Sequence, residues 1–110
     1  MAVSFARDIY AITKAFPKEE IYGLTSQLRR AAVSVSSNIA EGSSRASLKD
    51  QSRFSEIAYG SLMEIVSQLA IAKEMGFVED PLFDDLRIKA ENISLKLNAL
   101  RKSQLERLND

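Results

Sequence analysis

Arg30, Ser34, Asn38 and Glu41 stand at i, i+4, i+8 and i+11, and Glu56, Gly60, Glu64 and Gln68 recur every four residues. Each spacing places its members on one face of an α-helix. Folding the two helices together about a turn near residue 44 brings Arg30 level with Tyr59, between Glu56 and Glu64. Arg30, Asn38, Glu41, Glu56 and Glu64 then make an inter-helix polar seam. The favoured reading is a network of ion pairs and hydrogen bonds that sets helix register, as a buried polar residue does in coiled coils. A second reading is a polar pocket for a ligand. A third is acid–base work by the two carboxylates. Helical bundles also hold paired metals on carboxylates, but that design needs Glu-x-x-His, and the chain has no histidine.

Cysteine is absent as well. Its absence removes disulfides, thiolate nucleophiles and cysteine zinc sites, and the lack of imidazole removes the usual base near neutral pH. The expectation is a non-enzymatic protein with no catalytic residues, metal, cofactor or small-molecule substrate. Tyr10, Tyr22 and Tyr59 read as core or rim residues with hydroxyls in water. Asn92-Ile93-Ser94 matches a glycosylation sequon by chance, since it falls within a helix. Ser34, Ser36 and Ser37 follow Ala31 and Ala32, a run of small residues suited to close helix packing. Gly42-Ser43-Ser44 reads as a turn and not a phosphate loop.

Formal net charge is zero, which argues against nucleic-acid binding, because such domains usually carry a positive excess. The charges nevertheless sort by end. Glu19, Glu20, Glu74, Glu79, Asp80, Asp84 and Asp85 gather with only Lys18 and Lys73. At the opposite end Arg45, Lys49, Arg53, Arg101, Lys102 and Arg107 outnumber Asp50, Glu106 and Asp110. One reading is ordinary complementarity to helix dipoles. The other is a weak basic face for phosphate contacts.

The elements that position these residues are helices. Phe5, Ile9, Ile12 and Phe16 are spaced 4, 3 and 4, the apolar stripe of a first helix over about 3–15. Pro17 ends it. A second helix runs over about 18–41, with Glu19 and Glu20 at its positive end and Gly42 as its stop. A third spans 47–75, with Ser47 as cap and Gly76 as stop. A fourth covers 81–108, with Asp80 as N-cap and Pro81 in the first turn. Its core stripe is Phe83, Leu86, Ala90, Ile93, Leu97 and Leu100. The short connections make consecutive helices neighbours that run in opposite directions. One all-α domain over 1–110 follows, an antiparallel up-down-up-down four-helix bundle.

Two features point beyond one chain. The first helix is about half as long as the third and fourth, so one end of the bundle lacks a fourth wall. Ile88, Leu95 and Ala99 form a second apolar line on the fourth helix, about 180° from its core stripe at about 100° per residue. That line reads as an oligomer interface. No segment is apolar enough to span a membrane, and Met1 to Tyr10 lacks the pattern of a secretory signal. The expected location is cytoplasmic.

FPKEEIYGLTSQLRRAAVSVSSNIAEG and IAYGSLMEIVSQLAIAKEMGF, with flanks from about Phe5 to Leu100, carry a family pattern. The chain resembles the four-helix-bundle proteins encoded within intervening sequences of bacterial large-subunit ribosomal RNA genes. The resemblance implies a homopentamer and no established catalytic activity. It is also similar in architecture to accessory proteins of diversity-generating retroelements, which bind nucleic acid and a reverse transcriptase. The expectation is an oligomeric binding or scaffold protein associated with RNA, DNA or a complex that processes them. The alternative is a purely structural or protein-binding oligomer.

Overall fold

The computed structural model describes residues 1–109; Asp110, counted above at the basic end, lies outside them. Among these residues the chain is all-α. It forms α1 (Ala2–Thr13), α2 (Leu24–Ser44), α3 (Leu48–Glu74) and α4 (Asp80–Leu108), with a 3-10 turn at Lys18–Glu20. Contacts along α2 and α3, and along α3 and α4, pair early residues of one helix with late residues of the other. Gln27 meets Gln68 while Ser34 meets Ser61, and Lys73 meets Asp80 while Tyr59 meets Arg101.

The helix ends differ from the sequence expectation for local reasons. α2 starts at Leu24 and not near Lys18, because Pro17 leads into the 3-10 turn. The Glu20 carboxylate then accepts the Leu24 N–H at 3.1 Å, serving the dipole directly. α4 is capped at Glu79, with Asp80 already helical. Ser47 caps α3 as expected, its hydroxyl accepting the Asp50 N–H at 3.2 Å. Gly76 ends that helix at φ 80, and Phe77 N–H reaches back to Ala72 O at 2.9 Å, the closure of a left-handed C-terminal turn.

Gly42 does not stop α2; the helix continues to Ser44. A Cβ on Gly42 would lie 3.1 Å from Phe54 Cβ and 3.5 Å from Gln51 O. The missing side chain is therefore filled by α3. Keeping Gly42 helical moves the hairpin pivot to residues 45–47, and a pivot shift counts twice in register. Three residues along from the Gln27–Gln68 contact, Arg30 stands beside Ile65 and not Tyr59.

The core is the apolar face shared by all four helices. Phe5 and Ile9 meet Leu28, Ala32 and Val35, then Ala58, Leu62, Ile65 and Leu69, then Leu86, Ala90, Ile93 and Leu97. Each large side chain here contributes roughly 1.5–3 kcal/mol relative to exposure. Phe16, past the end of α1, stacks on Phe77 with centroids 5.6 Å apart, so the first and third connections close one end together. The stripe of α4 breaks at Leu100, which is 44% exposed. It lines an apolar groove with Met1, Ala2 and Ile39, where α1 begins and no helix covers it. Beyond that point the buried residue of α4 is Gln104, and Ser52 and Ser55 of α3 are buried too. The basic end therefore has a polar, three-helix core.

Candidate functional site

Between α2 and α3 runs an open groove of about 370 Å³, lined by Gln27, Arg30, Ala31, Ser34, Ser61, Glu64 and Gln68. The helix crossing at Gly42 and the register it imposes decide which residues face each other here. Ser34 Oγ and Ser61 Oγ are 2.8 Å apart. Asn38 Nδ2 donates to Ser34 O at 2.8 Å and to Ser34 Oγ at 3.0 Å. Two hydroxyls share one hydrogen bond, so one hydroxyl hydrogen remains for another acceptor. Gln68 Nε2 donates to Gln27 Oε1 at 3.3 Å, which leaves the buried Gln68 Oε1 without a partner. The groove thus offers donors from Arg30 and a serine, and acceptors from Glu64 and Gln68.

The structure brings only part of the expected seam together. Arg30 and Glu64 stand on opposite walls of this groove, both exposed and with no ion pair among the described residues. Glu56 is exposed and outside the groove. Asn38 bonds within α2 and does not reach α3. Glu41 pairs with Arg45 at 2.8 Å, one turn further along. The expected Arg30–carboxylate network is therefore corrected to an open groove plus a separate surface pair, the consequence of the register shift. Tyr22, expected at the core or its rim, is 93% exposed. Tyr59 does pack on the core edge, beneath the Arg101 guanidinium at 4.8 Å.

The arginine of α2 that reaches another helix is Arg29, which the sequence reading passed over. Its Nε donates to Thr13 Oγ1 at 2.8 Å and its Nη2 to Tyr10 O at 3.3 Å. The guanidinium lies 4.7 Å from the Tyr10 ring centroid. Thr13 is buried and donates to Ile9 O at 2.8 Å. The signal was present: Thr13 falls four residues after Ile9, on the core face of α1. A second clip joins α1 to α4, where Lys89 Nζ lies 2.9 Å from Asp8 and 3.1 Å from Asp85. Hydrogen bonds that Lys89 donates to Asp8 first, then to Asp85, raise its pKa above its ordinary value.

On α4, Ile88 and Leu95 are 49% and 68% exposed, and Ala99 is exposed beside them. At the basic end the six cations are unequal. Arg45 is held by Glu41 and lies 5.1 Å over the Phe54 ring. Arg101 is stacked on Tyr59, with its Nε buried and unpartnered. Lys49, Arg53, Lys102 and Arg107 are exposed, with no ion pair among the described residues. Among those residues no three acidic side chains gather as a metal site would require, and no helix is long and apolar enough to cross a membrane.

These features define a small helical bundle with a polar groove along one helix pair and sorted charge at its ends. The chain belongs to the 23S rRNA-intervening sequence protein family, whose model matches residues 1–99. No curated protein matches it.

Proposed function

We propose that this chain is a non-enzymatic subunit of a homo-oligomer, a ring of five by the family resemblance, that serves as a binding or scaffold protein for nucleic acid or its processing machinery. The observation that supports the binding half is the group of exposed cations at one end, Lys49, Arg53, Lys102 and Arg107. One subunit carries too few to hold a polyanion tightly. Repetition around one face of a ring raises avidity without any new contact. Ile88, Leu95 and Ala99 supply the apolar line through which copies associate.

Titrating labelled RNA and DNA with the wild-type protein at rising salt tests this reading. Binding that tolerates sequence and weakens steeply with salt is expected, since each neutralised phosphate releases counterions. Reversing Lys49 and Arg53 to glutamate should abolish it while light scattering reports an unchanged mass. Zero net charge favours the second reading, a structural oligomer with no nucleic-acid role. Absence of binding at low salt would establish that reading instead.

A further inference from the structure

We propose that the outer face of α3 centred on Gly60 receives Leu95 from α4 of a second copy of this chain. The inference rests on the homo-oligomeric reading above and names the two surfaces that meet.

Gly60 lies in the middle of a 27-residue helix, where glycine is less favourable than alanine. Apart from its chain neighbours and the nearby backbone of its own helix, no heavy atom lies within 4 Å of where its Cβ would stand. Nothing inside the chain therefore requires glycine here. The face around it is a shallow gap with mixed walls, since the exposed Glu56 and Glu64 stand one turn to either side and apolar residues lie next to them. At about 100° per residue, Ile57 and Met63 flank Gly60 at about 60° on either side. They are 41% and 36% exposed, and Ile71, on the same face, is 49% exposed.

A protruding apolar side chain fits such a gap, as a knob enters the space between four residues of a facing helix. Leu95 is the most exposed large hydrophobic residue of α4, at 68%. Two contacts between α3 and α4 bracket its height along the bundle. Counting fifteen residues onward from Asp80 and back from Lys73 sets Leu95 level with residue 58. Counting six back from Arg101 and onward from Tyr59 sets it level with residue 65. Gly60 falls between the two. Within one chain Leu95 and Gly60 are both uncovered, so they do not meet each other. Rotating a copy about an axis along the bundle, with no slide, brings Leu95 against the stretch of the neighbour's α3 that contains Gly60. Charge agrees: Lys96 beside Leu95 and Glu64 beside Gly60 have no ion-pair partner among the described residues.

The native chain has no cysteine, so disulfide trapping is clean. A disulfide needs Cα atoms within roughly 4.4–6.8 Å. Mixing Gly60→Cys chains with Leu95→Cys chains under mild oxidation should give linked dimers on a non-reducing gel, and neither variant alone should. Gly60→Leu fills the gap at a position where its Cβ meets no other helix of its own chain. It should lower the mass seen by light scattering while helical content is kept. An oligomeric wild type with no mixed link would overturn this contact and leave the assembly standing. Links in Gly60→Cys alone would also overturn it, by pairing α3 with itself. A monomeric wild type would overturn the assembly reading, and this contact with it.

Discussion

Gly42 and Gly60 are both interior to helices of one hairpin, yet their surroundings are opposite. At Gly42 the absent side chain is replaced at once by Phe54, 3.1 Å from the Cβ position. At Gly60 the same position faces open space. The first glycine is explained by the fold of a single chain, because it lets α2 and α3 cross closely and sets their register. The second is not, and it sits between exposed Ile57 and Met63, with Glu56 and Glu64 one turn away. A helical glycine therefore carries two different messages. Only the distance to the neighbouring helix tells them apart.

That contrast predicts substitutions of opposite sign. Gly42→Val should destabilise by about 1–3 kcal/mol, the usual range for overpacking a tight site. Gly60→Ala should stabilise the isolated chain by up to about 1 kcal/mol, since alanine is the better helix former and meets no neighbour. Urea melts at a concentration below assembly would show both. Equal signs would mean that the two sites do not differ as described.

Arg29 and Arg30 repeat the contrast between an inner and an outer position. Arg29→Ala removes the hydrogen bonds to Thr13 and Tyr10 and the stacking on the Tyr10 ring. A loss of about 1–2 kcal/mol is expected for charged hydrogen bonds at a partly buried site. Arg30→Ala, at an exposed groove wall, should stay within about 0.5 kcal/mol. A larger effect at Arg30 than at Arg29 would restore the inter-helix network inferred from spacing alone.

The smallest effect concerns the surface clip of α1 on α4. Lys89 has a raised pKa in the folded chain, from its bonds to Asp8 and Asp85. Its contribution is therefore complete below the ordinary lysine pKa and is lost as pH rises through the raised folded value. Alkaline melts should show a slightly steeper loss of stability for wild type than for Lys89→Met. Identical profiles would mean that the clip adds nothing to the joint between α1 and α4.

Much of the fold was legible because helices announce themselves locally. Phe5 and Ile9 on α1, and Leu86 to Leu97 on α4, are buried where a 3-4 spacing places them. Ser47 and Gly76 act as cap and stop, since capping depends on a few adjacent residues. The polar seam was less legible. Its members were correctly placed on facing helices, but their pairing depended on the pivot of the hairpin. One helical turn at Gly42 moved Arg30 away from Tyr59 and left Glu41 to Arg45.

By itself, the order of residues determined the helical period, the stop at Gly76, most of the core stripes and the sorting of charge, because each arises from interactions within a few residues along the chain. Tertiary structure alone decided the register of α2 on α3, the choice of Arg29 over Arg30 and the exposure of Leu100. These depend on how closely two backbones approach and where a neighbouring helix runs out. That information lies in the distance between segments far apart in sequence, and a missing side chain reads the same whether the space beside it is filled or empty.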